Sequence, residues 1–191
     1  MRVDEERQGA LARGDRVQVW ANDEHRIGLK PVLGRVWCKR GHRPVAPVQH
    51  RYQWSYLHGF VRPSDGATFW WLTSWVDIEA WNLVLREFAV WVGCGLQEDG
   101  TTTKVLLVVD NAGWHTGEAV QLPCGLELVF LPPRSPELQP CERLWPLSNQ
   151  ALYNRHFDSL DQLERQQSHH CCTLQDNPHI VQKHTRFHWW T

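Results

Sequence analysis

Lys104-Val-Leu-Leu-Val-Val-Asp110-Asn-Ala-Gly-Trp-His115 is the stretch from which the rest of this 191-residue chain is read. Its Val/Leu run lacks alternation, which is the pattern of a central strand covered on both faces. An acid, Asp110, closes the run, and a short helix is predicted near Trp114. Downstream, Leu126–Leu131 reads as another buried strand, followed by the rigid loop Pro132-Pro-Arg-Ser-Pro136. A helix is predicted from about Pro140, because proline suits a first helical turn. The last helix is predicted from Ser159, where Ser159 and Gln162 have capping-box spacing.

Upstream, Arg16-Val-Gln-Val-Trp-Ala-Asn-Asp23 alternates, placing Val17, Val19, Ala21 and Asp23 on one face of a strand that ends in an acid. Further strands are predicted over Gly34–Cys38, Tyr52–Val61 and Thr68–Val76, the last favoured by its Phe and Trp. Pro63-Ser-Asp-Gly66 reads as a turn between the last two. Asp77 is placed to cap a helix over Ile78–Val92, with Leu83, Phe88 and Trp91 on its buried face. No internal repeat or long linker interrupts the pattern. One α/β domain with a mixed β-sheet flanked by helices is the simplest architecture.

Composition excludes several classes. With 42% hydrophobic and 21% charged residues, the chain is not mostly disordered. No apolar run approaches the roughly 18 residues of a membrane span. The opening MRVDEERQGA is polar and does not read as a signal peptide. The six cysteines form no CxxC pair, so free thiols are expected. His169-His170-Cys171-Cys172 lacks the spacers that separate ligands in structural zinc sites. Twelve tryptophans imply a bulky core or flat stacking surfaces, and Trp70, Trp71, Trp75, Trp81 and Trp91 are expected in the core.

The net charge of −1 does not suggest a polyanionic partner, but its distribution does. From His25 to Arg62 there is no Asp or Glu. Arg26, Lys30, Arg35, Lys39, Arg40, Arg43, Arg51 and Arg62 give that segment +8, leaving −9 for the remainder. Trp37, Tyr52, Trp54 and Tyr56 interleave with them. Basic side chains attract phosphate, and aromatic rings among them can stack on bases.

Asp23, Asp110 and Glu142 fall where a metal site would need them: at two strand ends and in the first turns of a helix. The 31 residues between Asp110 and Glu142 hold one helix, one strand and one loop, enough to bring the later helix back to the strand edge. Hard cations such as Mg²⁺ take a few protein carboxylates plus water and phosphate oxygens. Two such ions about 4 Å apart can drive phosphodiester cleavage. By spacing alone each acid has a plainer alternative: a strand-end turn for Asp23, a turn or cap for Asp110, and a favourable helix N-terminus for Glu142.

Three blocks carry a family resemblance. Asn22-Asp-Glu-His-Arg-Ile-Gly28 resembles the first catalytic block of mariner-type DDE transposases, and Val109-Asp-Asn-Ala-Gly-Trp-His115 resembles the second. Leu131-Pro-Pro-Arg-Ser-Pro-Glu-Leu-Gln-Pro-Cys-Glu-Arg-Leu-Trp145 resembles the third. Arg35-Val-Trp37, Lys39-Arg-Gly41 and Phe187-His-Trp-Trp190 are similar to the bacterial insertion-sequence 630 branch. The resemblance runs from about Arg16 to the C-terminus.

It implies a ribonuclease H-like fold, with Asp23, Asp110 and Glu142 as ligands of two Mg²⁺ ions, for which Mn²⁺ can substitute. It implies DNA as partner, cleavage at element ends, transfer to a TA target, a homodimer in the active complex, and action in the bacterial cytoplasm on the nucleoid. Glu24 competes with Asp23, but strand alternation puts it on the opposite face. Glu137 competes with Glu142 from a less fixed loop. Arg26, Lys30, Arg35, Lys39, Arg40, Arg43, His115 and Arg134 are the candidate DNA-binding residues; His115 could instead hold a catalytic acid. Trp145 shares a helix face with Glu142 and is expected to fix it. Pro146 cannot donate to the carbonyl of Glu142, so the helix should kink or end there.

Family members carry an N-terminal helix-turn-helix, whereas residues 1–15 read as a short flexible lead before a catalytic domain over 16–191. A separate helix-turn-helix polypeptide is therefore an expected partner. The alternative is a catalytically silent, truncated transposase acting as a DNA-binding repressor or remnant.

Overall fold

The computed structural model describes residues 16–47 and 49–187, together with residues 5, 7–9 and 11. Most of the expected N-terminal lead lies outside the described residues, as do His188, Trp189 and Trp190 of the closing motif. No helix among the described residues is long and apolar enough to cross a membrane.

Six strands form one mixed sheet: β1 (Arg16–Gly28), β2 (Trp54–Arg62), β3 (Ala67–Thr73), β4 (Gly95–Leu96), β5 (Thr102–Val109) and β6 (Leu126–Phe130). Their order is β3-β2-β1-β5-β4, with β6 also on β5. β1–β2–β3 is an antiparallel meander, while β5 runs parallel to both β1 and β6. The β2–β3 turn closes on Gly66, whose φ of 82° favours glycine. Asp65 holds Arg62 across it at 2.7 Å.

One face of the sheet is covered by α1 (Ile78–Val92), and the single-turn α2 (Gly113–Thr116) follows β5. Trp20, Phe60, Trp81, Phe88 and Leu107 meet there in an aromatic core. Phe88 stacks on Phe60 at 4.2 Å between ring centres and meets Trp20 edge-on at 5.2 Å. The other face packs Ala21, Leu57, Leu106 and Val108 against Cys141, Leu144, Trp145, Leu163 and Val181. Those residues belong to a C-terminal layer of short turns, α3 (Trp145–Ser148), α4 (Leu160–Gln175) and α5 (Pro178–Thr185). Val105 to Val109 are all buried between the two layers, which accounts for the missing alternation.

Local chemistry sets the helix ends. Asp77 accepts from Ala80 N at 2.8 Å, and Gly93 at φ 68° stops α1. Ser159 Oγ accepts from Gln162 N at 3.2 Å, and Gln162 reaches back to Asp158 N at 2.7 Å. All six cysteines are free, as expected.

Several expectations are corrected. β1 does not end at Asp23, because pairing with β2 carries it on to Gly28. Gly34–Cys38 is not a strand: no strand pairs with it, and Val36 and Trp37 face solvent. That segment is tied at Gly34, whose N–H and carbonyl both bond the Asn154 side chain. The buried face of α1 is Ala80, Trp81, Val84, Leu85, Phe88 and Ala89, leaving Leu83 and Trp91 substantially exposed. Of the five tryptophans expected in the core only Trp81 is fully buried, and Trp75 is exposed. The helix expected from Pro140 is a 3-10 turn over Pro140–Arg143, followed by the single-turn α3 with Pro146 in its first turn.

Phe88→Ala should lower the unfolding free energy in urea by about 3–5 kcal/mol, the usual cost of emptying an aromatic site. Val90→Ala, two residues away on the exposed side, should change it by less than about 0.5 kcal/mol.

Candidate active site

The parallel register of β1 and β5 assembles the site. Ala21 pairs with Val108 at the last rung, and Asp23 and Asp110 each follow two residues beyond it on their own segments. Alternation puts both acids on the face of Ala21 and Val108, beneath the C-terminal layer. The turn over Pro140–Arg143 is pinned to that face by buried polar contacts. Gln139 Nε2 donates to Asn22 O at 2.8 Å, and Cys141 Sγ donates to Gly59 O at 3.3 Å. Asp23, Asp110 and Glu142 thus line one cavity of about 330 Å³ with Asn111, Arg134 and Gln139. Glu137 is outside that lining.

Asp23 is held from two sides. Trp145 Nε1 donates to Oδ2 at 3.1 Å, and Glu24 N donates to Oδ1 at 2.9 Å. Trp145 therefore fixes Asp23, not Glu142 as its helical spacing implied. The indole has room because the residue paired with Asp23 on β2 is Gly59. A Cβ there would stand 2.8 Å from the Trp145 ring. His25 stacks on the same ring at 4.9 Å and bonds Asn149 at 3.1 Å.

Burial, then the charge of Glu24, then that of Glu142, push the Asp23 carboxyl up to about 7 against its hydrogen bonds. A carboxylate so disfavoured as an anion is one that a neighbouring dication would return to the charged form. Among the described residues no three His, Cys, Asp or Glu side chains gather closely enough to hold an ion unaided. Carboxylates facing one cavity still fit Mg²⁺ chemistry, in which one or two protein carboxylates are completed by water and phosphate oxygens.

A second network lies behind the acids. Glu24 is on the opposite sheet face, as alternation predicts, and its side chain is 6% exposed. Its Oε1 lies 3.2 Å from His115 Nε2 and 3.3 Å from Nδ1 of His58, its β2 partner. Its Oε2 accepts from Trp114 Nε1 at 3.2 Å. His115 Nδ1 is 2.9 Å from Asp110 Oδ1. Burial opposes a charge on His115, yet bonds to Asp110 and Glu24 and their charges raise it to about 9. Burial likewise opposes the Glu24 anion, but His115 and His58 bring it down to about 2. The hydrogen bond from His115 is also the main force holding Asp110 below the usual carboxylate range.

These contacts correct the placement of His115 among DNA-binding residues: it is 2% exposed and both ring nitrogens face carboxylates. The sequence marks Glu24 only as a rival to Asp23 and gives no signal for His58 or Trp114. Only the β1–β2 register, which sequence does not supply, sets His58 opposite Glu24.

The basic segment is surface. Arg26, Lys30, Arg35, Lys39, Arg40 and Arg43 are exposed. Arg26 lies over Trp54 at 5.4 Å and Lys30 over Tyr52 at 4.6 Å. Arg51 is committed to the carbonyls of Phe157 and Asp158, and Arg62 to Asp65. Arg134 is exposed on the cavity wall at φ 60°.

Residues 18–164 match the family described as DDE superfamily endonuclease. A curated relative is the uncharacterised protein y4pE/y4sA of Sinorhizobium fredii, 34% identical over 120 residues, which are 62% of this chain and 81% of that protein. Among solved structures, a pre-cleavage Mos1 transpososome superposes with a TM-score of 0.57 at 14% identity over 94% of this chain and 59% of that one. The Mos1 mariner paired end complex with Mn gives 0.56 at 16% over 89% and 56%. The Mos1 strand transfer complex gives 0.53 at 15% over 89% and 55%. The shared fold is the ribonuclease H-like mixed sheet flanked by helices. This chain spans little more than half the length of those Mos1 chains.

The His115 network sets a sign for stability against pH. His115 stands at about 9 when folded against an ordinary 6.5, so its contribution is full below 6.5 and is lost as pH rises through 9. Glu24 stands at about 2 against 4.5, so its contribution is full above 4.5 and is lost as pH falls through 2. In chelator, the melting-temperature advantage of the parent over His115→Gln should be largest between 4.5 and 6.5 and shrink towards 9. A difference that stays constant up to pH 10 would contradict the assignment.

Proposed function

The chain belongs to the DDE superfamily endonucleases, and from that premise we propose that it is a transposase catalytic domain that cuts DNA at the ends of an insertion sequence and joins the freed end to target DNA. The observation that carries this reading is the single cavity shared by Asp23, Asp110 and Glu142. The Mos1 relatives of the same fold are described as paired-end and strand-transfer complexes, with Mn and with Mg among them.

Asp23, Asp110 and Glu142 would hold two Mg²⁺ ions, or Mn²⁺ in their place. Bound there, the ions would neutralise the scissile phosphate and acidify the attacking hydroxyl. The protein's own part is placement. The Trp145 N–H holds Asp23, His115 holds Asp110, and the turn anchored by Gln139 presents Glu142. Arg134, on the cavity wall, would meet phosphate, and the exposed cations from Arg26 to Arg43 would face the duplex. Attack by water and then by a DNA 3′-hydroxyl needs no covalent protein–DNA intermediate. The partners are DNA with a TA target and a second copy of the chain in the active complex; the setting is the bacterial cytoplasm.

The silent-repressor reading draws on the acids not gathering tightly by themselves. Supercoiled plasmid carrying an element end separates the two. The parent should convert it to nicked product with Mn²⁺ or Mg²⁺, and chelator should stop the reaction. Asp110→Asn should abolish nicking and leave the metal-free melting temperature unchanged or higher. Equal nicking by parent and variant would sink the active-site assignment, and no nicking by the parent would favour the silent reading.

Surface charge gives a second test. Replacing Arg35, Lys39, Arg40 and Arg43 together by alanine should flatten the log–log salt dependence of DNA binding by up to about 3.6, at about 0.9 per phosphate contact. An unchanged slope would remove this segment from the DNA-binding surface.

A further inference from the structure

We propose that Glu24 is a positioning residue for the active-site carboxylate Asp110, acting through His115 around the edge of the sheet. The inference rests on the reading of Asp110 as a metal-binding acid.

Glu24 is expensive to bury, and an apolar side chain would fill its site without the desolvation cost. Each of its oxygens nevertheless has a ring N–H aimed at it. Oε1 lies 3.2 Å from His115 Nε2, and Oε2 lies 3.2 Å from Trp114 Nε1. His58 Nδ1 adds a third nitrogen nearby at 3.3 Å, a charge contact without hydrogen-bond geometry, while its Nε2 meets Thr73 Oγ1 at 3.1 Å. This set of partners fixes the carboxylate in place and orientation.

His115 transmits that fixity. Its side chain is fully buried, tilted against Trp81 at 4.5 Å, and its second nitrogen meets Asp110 Oδ1 at 2.9 Å. Turning the imidazole over would break both carboxylate contacts at once. Asp110 needs such a brace, because it lies just past the end of β5 with a side chain 55% exposed. Its other hydrogen bond is from Ala112 N to the same oxygen, at 3.0 Å. Both hydrogen bonds to the carboxylate thus converge on Oδ1. The partners that orient metal-binding groups commonly affect metal affinity or activity 10–100-fold when removed.

The test compares the parent chain with Glu24→Ala, Glu24→Gln and Trp114→Phe. Mn²⁺ alone is titrated into the DNA-free protein, and free Mn²⁺ is read by electron paramagnetic resonance. Nicking at subsaturating Mn²⁺, affinity for element-end DNA and thermal melting are measured alongside. Glu24→Ala should weaken Mn²⁺ binding roughly tenfold and slow nicking about 10–100-fold, with DNA affinity within about twofold of the parent. Glu24→Gln keeps an oxygen for His115 and should recover part of both losses. Trp114→Phe, which deletes one N–H, should show a smaller loss of the same kind.

Should Glu24→Ala fail to melt cooperatively, the other two variants carry the comparison. Parental Mn²⁺ binding and nicking in folded Glu24 variants, with Asp110→Asn inactive, would overturn the positioning role alone. Weakened Mn²⁺ binding in Glu24→Ala and in Asp110→Asn, with no nicking by the parent, would instead fault the strand-cleavage reading and leave positioning standing.

Discussion

The parallel pairing of β1 with β5 is the constraint on which the site depends. It brings Asp23 and Asp110 to one end of the sheet, where both line one cavity, although 86 residues separate them in the chain. The register is held by both layers at once. Ala21 and Val108 must face the C-terminal layer, while Trp20 and Leu107 must face α1. Because side chains alternate with period two, a slip of one residue would turn every one of them to the wrong layer. It would also bring Glu24 to the cavity and take Asp23 out of it. Hydrophobic burial across the whole sheet therefore decides which of two adjacent acids is presented.

That presentation is unfavourable by itself. Asp23 is buried beside Glu24 and within the field of Glu142, and its anion is disfavoured at neutral pH. The surrounding structure over-determines it instead of relieving it. Gly59 leaves a gap on β2, Trp145 fills the gap and donates into it, and His25 and Trp70 pack the indole from other sides. A local violation of favourable electrostatics, supported by tight neighbouring packing, is the usual mark of a functional centre.

Much of this was legible in the sequence because it depends on short-range signals. The unalternating run before Asp110, the Asp77 cap, the Ser159 cap and the parity separating Asp23 from Glu24 are all local. The errors arose where tertiary partners decide. β1 continues past Asp23 because β2 continues beside it. The Gly34–Cys38 segment, expected as a strand, has no partner strand and stays irregular. Leu83 and Trp91 satisfy a helical spacing, but the sheet's aromatic residues select Ala80, Val84 and Phe88 as the buried side of α1. Trp145 has the spacing to sit over Glu142, yet Gly59 directs it to Asp23.

The two faces of the sheet divide the work between them. Asp23 and Asp110 project towards the C-terminal layer, whereas Glu24 and His58 lie in the layer beneath α1. His115 belongs to neither strand. It rides on α2 (Gly113–Thr116), just after β5, and reaches Asp110 with one nitrogen and Glu24 with the other. Trp81, a core residue of α1, packs on His115 at 4.5 Å and lies parallel to His58 at 6.3 Å. The aromatic core is thereby the floor on which the second network stands. Because packed interiors repack in discrete steps and transmit strain, a change of volume at Trp81 would move His115 before it moved the cavity wall. The geometry of Asp110 is thus set by a hydrophobic layer that never touches the cavity.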